Sequence, residues 1–206
     1  LYTYDLAYEF VGDLLDEKDQ AAELSGYYKS SLGRVNRIVE SIPDEEKVSV
    51  YYAREEDGLT TETSKSPNAQ LIDLCGGINV AVSEDGSIKS PIVSMEQVLV
   101  WNPELIFTGN GGFVSRGTYQ EIISNVNWTN VDAVAEGKVY PTPQVPFNWF
   151  DRPPSVNRII GMNFVLYTLY PDLYEGDILE DVMTFYQTFY HYDLSEEEAK
   201  KLLNME

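Results

Sequence analysis

The chain has 206 residues, with 14 Lys and Arg against 34 Asp and Glu, a formal net charge of −20 and a pI near 4.2. A surface so poor in cations excludes partners that are held through phosphate, namely nucleic acid and an anionic lipid face. Hydrophobic residues at 43% place the chain among globular proteins rather than acidic disordered tails, and its length suits one large domain or two small ones.

The chain opens at Leu1 without a charged n-region and apolar h-region, so a removed signal segment or a piece of a longer protein is expected. Residues 1–15 are rich in apolar and aromatic side chains and are expected to pack against residues outside the chain. From about Asp16 to Ser41, Leu24, Tyr27, Tyr28, Leu32, Val35, Ile38, Val39 and Ile42 recur at three- and four-residue steps, which predicts one long amphipathic helix ended by Pro43. At 1.5 Å per residue it would span roughly 39 Å, the length of a strut.

After Pro43 short apolar runs alternate with helical segments. Val48 to Tyr52 reads as a strand, Ala69 to Leu74 as a helix closed by Gly76-Gly77, and Leu105 to Thr108 as a buried strand. Ser94 with Gln97 three residues on is a capping box opening a short helix before Asn102-Pro103. A helix around Thr118 to Ser124 and a strand at Lys138 to Tyr140 follow. Ser155 is expected to cap a helix running to Tyr170, Asp177 to Tyr190 forms another, and Ser195 with Glu198 opens the last. Strands alternating with helices predict an α/β fold, a three-layer sandwich with a mostly parallel sheet, preceded by the long connecting helix. The longest apolar runs fall far short of a membrane span.

One cysteine, Cys75, excludes an internal disulfide and fits either a reducing compartment or an exterior protein without bridges. The lone His191 has no His or Cys at ligand spacing, so neither a metal site nor a cofactor is expected, and both residues read as structural. Most acids stand in runs such as Asp44-Glu45-Glu46, Arg54-Glu55-Glu56-Asp57 and Glu196 to Glu198, which read as solvated faces. No nucleophile elbow or phosphate loop is present, and no enzyme is expected; an acid hydrolase using two carboxylates is the alternative. Gly109-Asn110-Gly111-Gly112 follows a strand, a position equally suited to a plain turn and to an anion cradle. Residues 141–154 hold five of the ten prolines, interleaved with Phe147, Trp149, Phe150 and Arg152. A stiff aromatic edge with one forked cation suits a small-molecule or anionic ligand, while the same aromatics would also serve to seal the sheet against the next helix.

Val93-Ser94-Met95-Glu96-Gln97-Val98-Leu99 followed by Asn102-Pro103-Glu104-Leu105-Ile106 resembles a signature of the class III solute-binding proteins, the extracytoplasmic receptors of ABC importers. Cys75-Gly76-Gly77-Ile78-Asn79, Gly137-Lys138-Val139-Tyr140 and Trp149-Phe150-Asp151-Arg152-Pro153 resemble three further segments of that family in the same order. The resemblance implies that residues 1–42 are the end of an N-terminal lobe and the inter-lobe helix, and that residues 43–206 are the C-terminal α/β lobe. It implies no catalysis but capture of a metal–chelate such as a ferric siderophore, haem or cobalamin, or of a molybdate or tungstate oxyanion, for delivery to a permease. A sensor domain reusing the fold is the remaining alternative. Trp149, Arg152, Phe147, Thr108, Asn110 and Gly111 are the expected ligand positions, with weaker support for Thr60, Thr61 and Ser90. Glu96 is the expected permease contact, and the resemblance places the protein outside the cytoplasm, with any membrane attachment through a lipid anchor upstream of Leu1.

Overall fold

The computed structural model describes residues 3–83, 90–109 and 116–205. Two antiparallel helices come first, α1 (Tyr4–Leu15) and α2 (Lys18–Ser41), joined by Asp16 in the left-handed region. The expected strut therefore begins two residues later than the spacing indicated, and the segment before it is a helix of its own. α1 turns Tyr4 and Tyr8 toward Tyr28 of α2 and Phe189, and leaves Leu6, Phe10, Val11, Leu14 and Leu15 exposed.

α2 buries Ala21, Ser25, Tyr28, Ser31, Val35 and Ile38, a stripe with helical spacing whose small members let the helix lie close. A polar clamp fixes it to the rest of the molecule. Arg34 donates to Asp181 from both terminal nitrogens, at 2.6 and 3.2 Å, and to Tyr174 Oη at 2.6 Å. Tyr27 Oη donates to the Asp181 carbonyl and Asn163 Nδ2 to Ser31 Oγ.

Four strands, β1 (Ser49–Ala53), β2 (Ile78–Asn79), β3 (Leu105–Thr108) and β4 (Val139–Pro141), form one sheet in the order β2-β1-β3-β4, all parallel. Helices α3 (Gln70–Leu74), α4 (Met95–Trp101), α5 (Arg116–Ser124), α6 (Asp132–Ala135), α7 (Asn157–Leu169), α8 (Ile178–Tyr190) and α9 (Glu196–Leu202) complete the described elements. Two cores lie on opposite sheet faces, and strand alternation assigns side chains to each. Val50 and Tyr52 of β1 and Leu105 and Phe107 of β3 pack with α2, α3, α7, α8 and α9. Tyr51, Ala53 and Ile106 pack with Val98, Ile122, Trp128 and Ala133 on the other side. The three-layer α/β sandwich is as the pattern predicts.

The expected capping boxes form fully at α9 and by half at α4, where no return bond from the Gln97 side chain accompanies the serine cap. Ser94 Oγ accepts from Gln97 N, and Ser195 and Glu198 form a reciprocal capping box. At α7 the expectation shifts by one residue: Val156 occupies the cap, while Ser155 Oγ accepts from Asn157 N at 3.3 Å. α7 is buried almost all round, including Asn157, Arg158 and Asn163, because sheet, α2, α3 and α8 all close on it. Cys75 is buried with its Sγ against the Met162 carbonyl, and burial pushes its thiol well above the ordinary value, as suits a structural residue.

Candidate functional site

The carboxyl ends of β1, β3 and β4 converge with the loop 142–156, the place where parallel sheets present ligand contacts. That loop is built from within. Asn148 Oδ1 accepts from the backbone N–H groups of Phe150 and Asp151, and Asp151 Oδ1 from that of Arg152. Asn157 Nδ2 donates to the Phe147 carbonyl, and Trp149 Nε1 to that of Val145. The Trp149 carbonyl presses on Gly161 of α7 so closely that a Cβ there would lie 1.9 Å from it. On the other side Phe150 stacks toward Tyr52, with ring centroids 4.5 Å apart.

The parity that sends Val50 and Tyr52 toward α7 sends Arg54 the same way, under the Phe150–Asp151 turn. Arg54 is 3% exposed and pairs through Nη1 with Glu62, itself 1% exposed. Its Nε lies 3.6 Å from Asp151 Oδ2, and Asp151 is also buried. Glu62 reaches this position because residues 54–60 turn back on β1: Arg54 N donates to the Thr60 carbonyl, and Thr61 N to that of Pro91. Further donors gather on the Glu62 carboxylate. Ser66 Oγ reaches Oε2 at 2.6 Å, while Oε1 accepts from Ser90 Oγ at 2.8 Å, Asn68 Nδ2 at 3.1 Å and Arg152 Nη2 at 3.4 Å.

These contacts set the charge of the two acids. Burial alone would raise the Glu62 carboxyl, but the hydrogen bonds from Ser66, Ser90 and Asn68 and the Arg54 charge outweigh it and hold the group below its ordinary value. Asp151 goes the other way: burial raises it, and the Arg152 N–H and the Arg54 charge only partly offset that. Several buried polar atoms around this edge, including Arg54 Nε, Thr61 Oγ1, Thr108 Oγ1 and Asn148 Nδ2, make no hydrogen bond. Asp151 Oδ2 is among them too, facing Arg54 Nε at 3.6 Å, just beyond hydrogen-bond distance.

Arg152 is half-exposed at the rim of this cluster, and Phe147, from the same loop, is 46% exposed. Trp149 corrects its expectation. It is fully buried, packed against Phe164 and Tyr186, and forms the floor of the loop rather than its open face. Thr108 is likewise fully buried, its carbonyl accepting from the N–H and hydroxyl of Thr142, so its side chain faces no open cleft. Asn110 and Gly111 lie outside the described residues. Gly109 admits the Tyr52 hydroxyl where a Cβ would sit, 2.0 Å away, which accounts for the first glycine of that loop by close approach. Thr61 is buried, Thr60 half-buried, and Ser90 joins the cluster through its hydroxyl.

Arg54 sat within a charge run that reads as solvated, so the sequence reading missed it together with Glu62. The available signal was its place directly after a β-branched and aromatic strand, at the carboxyl end of a predicted parallel sheet. Glu96 is exposed in the first turn of α4, and hydrogen bonds from its own N–H and from Ser94 hold its carboxyl below the ordinary value. His191 closes α8 in the left-handed region, and no group of three or more His, Cys, Asp or Glu among the described residues has the arrangement to hold a metal ion. No helix among the described residues is long and apolar enough to cross a membrane.

The family profile described as "Periplasmic binding protein" matches residues 7–146. Among solved structures, an ABC transporter solute-binding protein from Sulfurospirillum deleyianum is 32% identical, with a TM-score of 0.90 over 98% of this chain and 61% of its own. Among curated proteins, the molybdate-binding protein MolA of Haemophilus influenzae is 25% identical over 187 residues, 88% of this chain and 50% of MolA. A vitamin B12-binding protein of Vibrio campbellii is 28% identical over 123 residues, 59% of this chain and 41% of its own. The chain thus spans about half the length of the curated relatives it matches.

Proposed function

Because the chain belongs to the periplasmic binding protein family, whose members bind solutes for transport, we propose that it forms the cargo-holding lobe of an ABC importer's extracytoplasmic receptor. Residues 1–42 serve as the end of a first lobe and the connecting helix, and residues 43–206 as the second lobe. The clamp of Arg34 on Asp181 and Tyr174 suits that division, since it ties the long helix to the second lobe.

The observation that carries the cargo class is Arg152, a half-exposed cation seated over a buried charged cluster at the carboxyl edge of a parallel sheet. A half-exposed guanidinium there recognises anionic oxygen in a forked geometry. Two sources share that chemistry: a molybdate or tungstate oxyanion, and the acidic groups of a metal–chelate such as a ferric siderophore, haem or cobalamin. Phe147 adds accessible aromatic surface for a bulky chelate. The net charge of −20 repels such cargo at long range, but the cluster acts within a Debye length of about 8–10 Å. Glu96 is the proposed salt-bridge partner for a permease Arg, since an exposed carboxylate on a helix's first turn suits reversible docking.

Thermal unfolding against a panel of molybdate, tungstate, ferric siderophore, haem and cobalamin separates the two sources. A ligand at a hundred times its Kd adds about 2.7 kcal/mol, which raises Tm by roughly 5–10 °C in a chain of this size. One class should produce that shift, and Arg152→Ala should weaken it at least tenfold in apparent affinity. A flat panel, or a shift indifferent to Arg152, contradicts the reading.

A further inference from the structure

The Glu62 carboxylate has more donors than it needs. Its Oε1 takes Arg54, Ser90 and Asn68, already more than the two lone-pair positions of one carboxylate oxygen, before Arg152 is added to the same atom; Oε2 takes Ser66. Arg152 is the supernumerary donor. Its contact is the longest of the set at 3.4 Å, its side chain is 53% exposed while Glu62 is 1% exposed, and the other four donors stay if it leaves. Arg54 stays on Glu62 from inside, so releasing Arg152 does not leave the Glu62 carboxylate without a cation.

We propose that Glu62 is a positioning residue that parks Arg152 at the cleft edge and competes with cargo for it, so that binding an anionic oxygen transfers the guanidinium from Glu62 to the ligand. The inference rests on the reading that Arg152 contacts the cargo, and deepens it by assigning selectivity to a buried acid. A weak acceptor, such as a neutral amide or hydroxyl, does not displace Arg152 from a carboxylate; a strong anion does. Glu62 thereby sets the threshold for what the protein accepts. The other donors on Oε1 tune that threshold, because each one that is removed leaves more of the oxygen's lone-pair density for Arg152.

The test is a double-mutant cycle read by calorimetric titration, with molybdate and a ferric siderophore as the two anionic probes and whichever binds carried through the cycle. Glu62→Gln should tighten the bound probe about tenfold, the scale of one charge-assisted hydrogen bond no longer in competition. In an Arg152→Gln background the same change should do little, because the competition has lost its object. Asn68→Ala should act with the opposite sign, weakening the probe two- to threefold while Arg152 is present. It also covers the case in which Glu62→Gln does not fold.

If Arg152→Gln weakens binding yet Glu62→Gln and Asn68→Ala alter affinity equally with and without Arg152, the parking role is overturned and the cargo reading stands. If no member of the panel of molybdate, tungstate, ferric siderophore, haem and cobalamin binds, or Arg152→Gln leaves the affinity of the one that does unchanged, the cargo reading fails and the parking role with it. Molybdate binding alone identifies a free oxyanion as the source of the anionic oxygen, and siderophore binding alone identifies a chelate.

Discussion

Arg54→Ala is expected to destabilise the protein by about 3–5 kcal/mol, the cost of leaving buried charge without its partner. Arg54 is the cation enclosed between Glu62 and Asp151, with all three side chains at most 3% exposed. Its removal strands two carboxylates that Ser66, Asn68 and Ser90 solvate only on the Glu62 side. At about 2–4 °C per kcal/mol for a chain of this length, Tm should fall by roughly 10 °C.

The loss should also depend on pH, with a definite sign. In the wild type Glu62 is held below its ordinary value, so its contribution is present above the unfolded pKa and is lost as pH falls through the folded one. Asp151 is raised, so its contribution is greatest below the unfolded pKa and is lost as pH rises through the folded one. Without Arg54 both groups should be raised and behave like Asp151. Unfolding measured at about pH 5 and about pH 8 should therefore show the larger penalty at the higher pH. An equal penalty at both, or one below about 1 kcal/mol, would mean the cluster is more hydrated than its burial indicates.

The second large effect is at Gly161. An alanine Cβ there would lie 1.9 Å from the Trp149 carbonyl oxygen, and 3.1 Å from a Leu71 methyl. Alanine gains up to about 1 kcal/mol over glycine in a helix, whereas overpacking against backbone costs about 1–3 kcal/mol or more. The overlap wins, because a carbonyl in a loop pinned on both sides has nowhere to rotate. Gly161→Ala should lose about 2 kcal/mol or more and change the emission of Trp149 as its loop lifts from α7. Gly26→Ala in α2 is the matched control, with nothing within 4 Å of the added methyl, and should be neutral or stabilising. If the two substitutions behave alike, the loop is not seated on α7 as described.

How much of this was legible follows from the range of each interaction. The α2 stripe, the β1, β3 and β4 runs and the caps at Ser94 and Ser195 are set by neighbours within a few residues, and all stand close to where the pattern puts them. β2 was not legible because two residues carry no periodicity, and α1 because its exposed Leu6, Phe10 and Leu14 break the usual amphipathic reading. The charged cluster depends on contacts 8 residues apart for Arg54 with Glu62 and 90 apart for Arg152 with Glu62, which no local window joins. Trp149 illustrates the opposite error: an aromatic in a proline-rich loop reads as a binding surface, yet the loop folds inward and uses it as core. Arg152 and Phe147, from the same loop, remain outside.

The most direct test is anomalous diffraction from crystals of the protein grown with the cargo that the unfolding panel selects, since every candidate carries molybdenum, tungsten, iron or cobalt. The metal should appear beside the Arg152 guanidinium, off the carboxyl ends of β1 and β3, with Arg152 turned away from Glu62. A metal seated elsewhere, such as the groove between Tyr140, Tyr167 and α9 along the β4 edge, with Arg152 still on Glu62, would contradict both the site and the role given to Arg152.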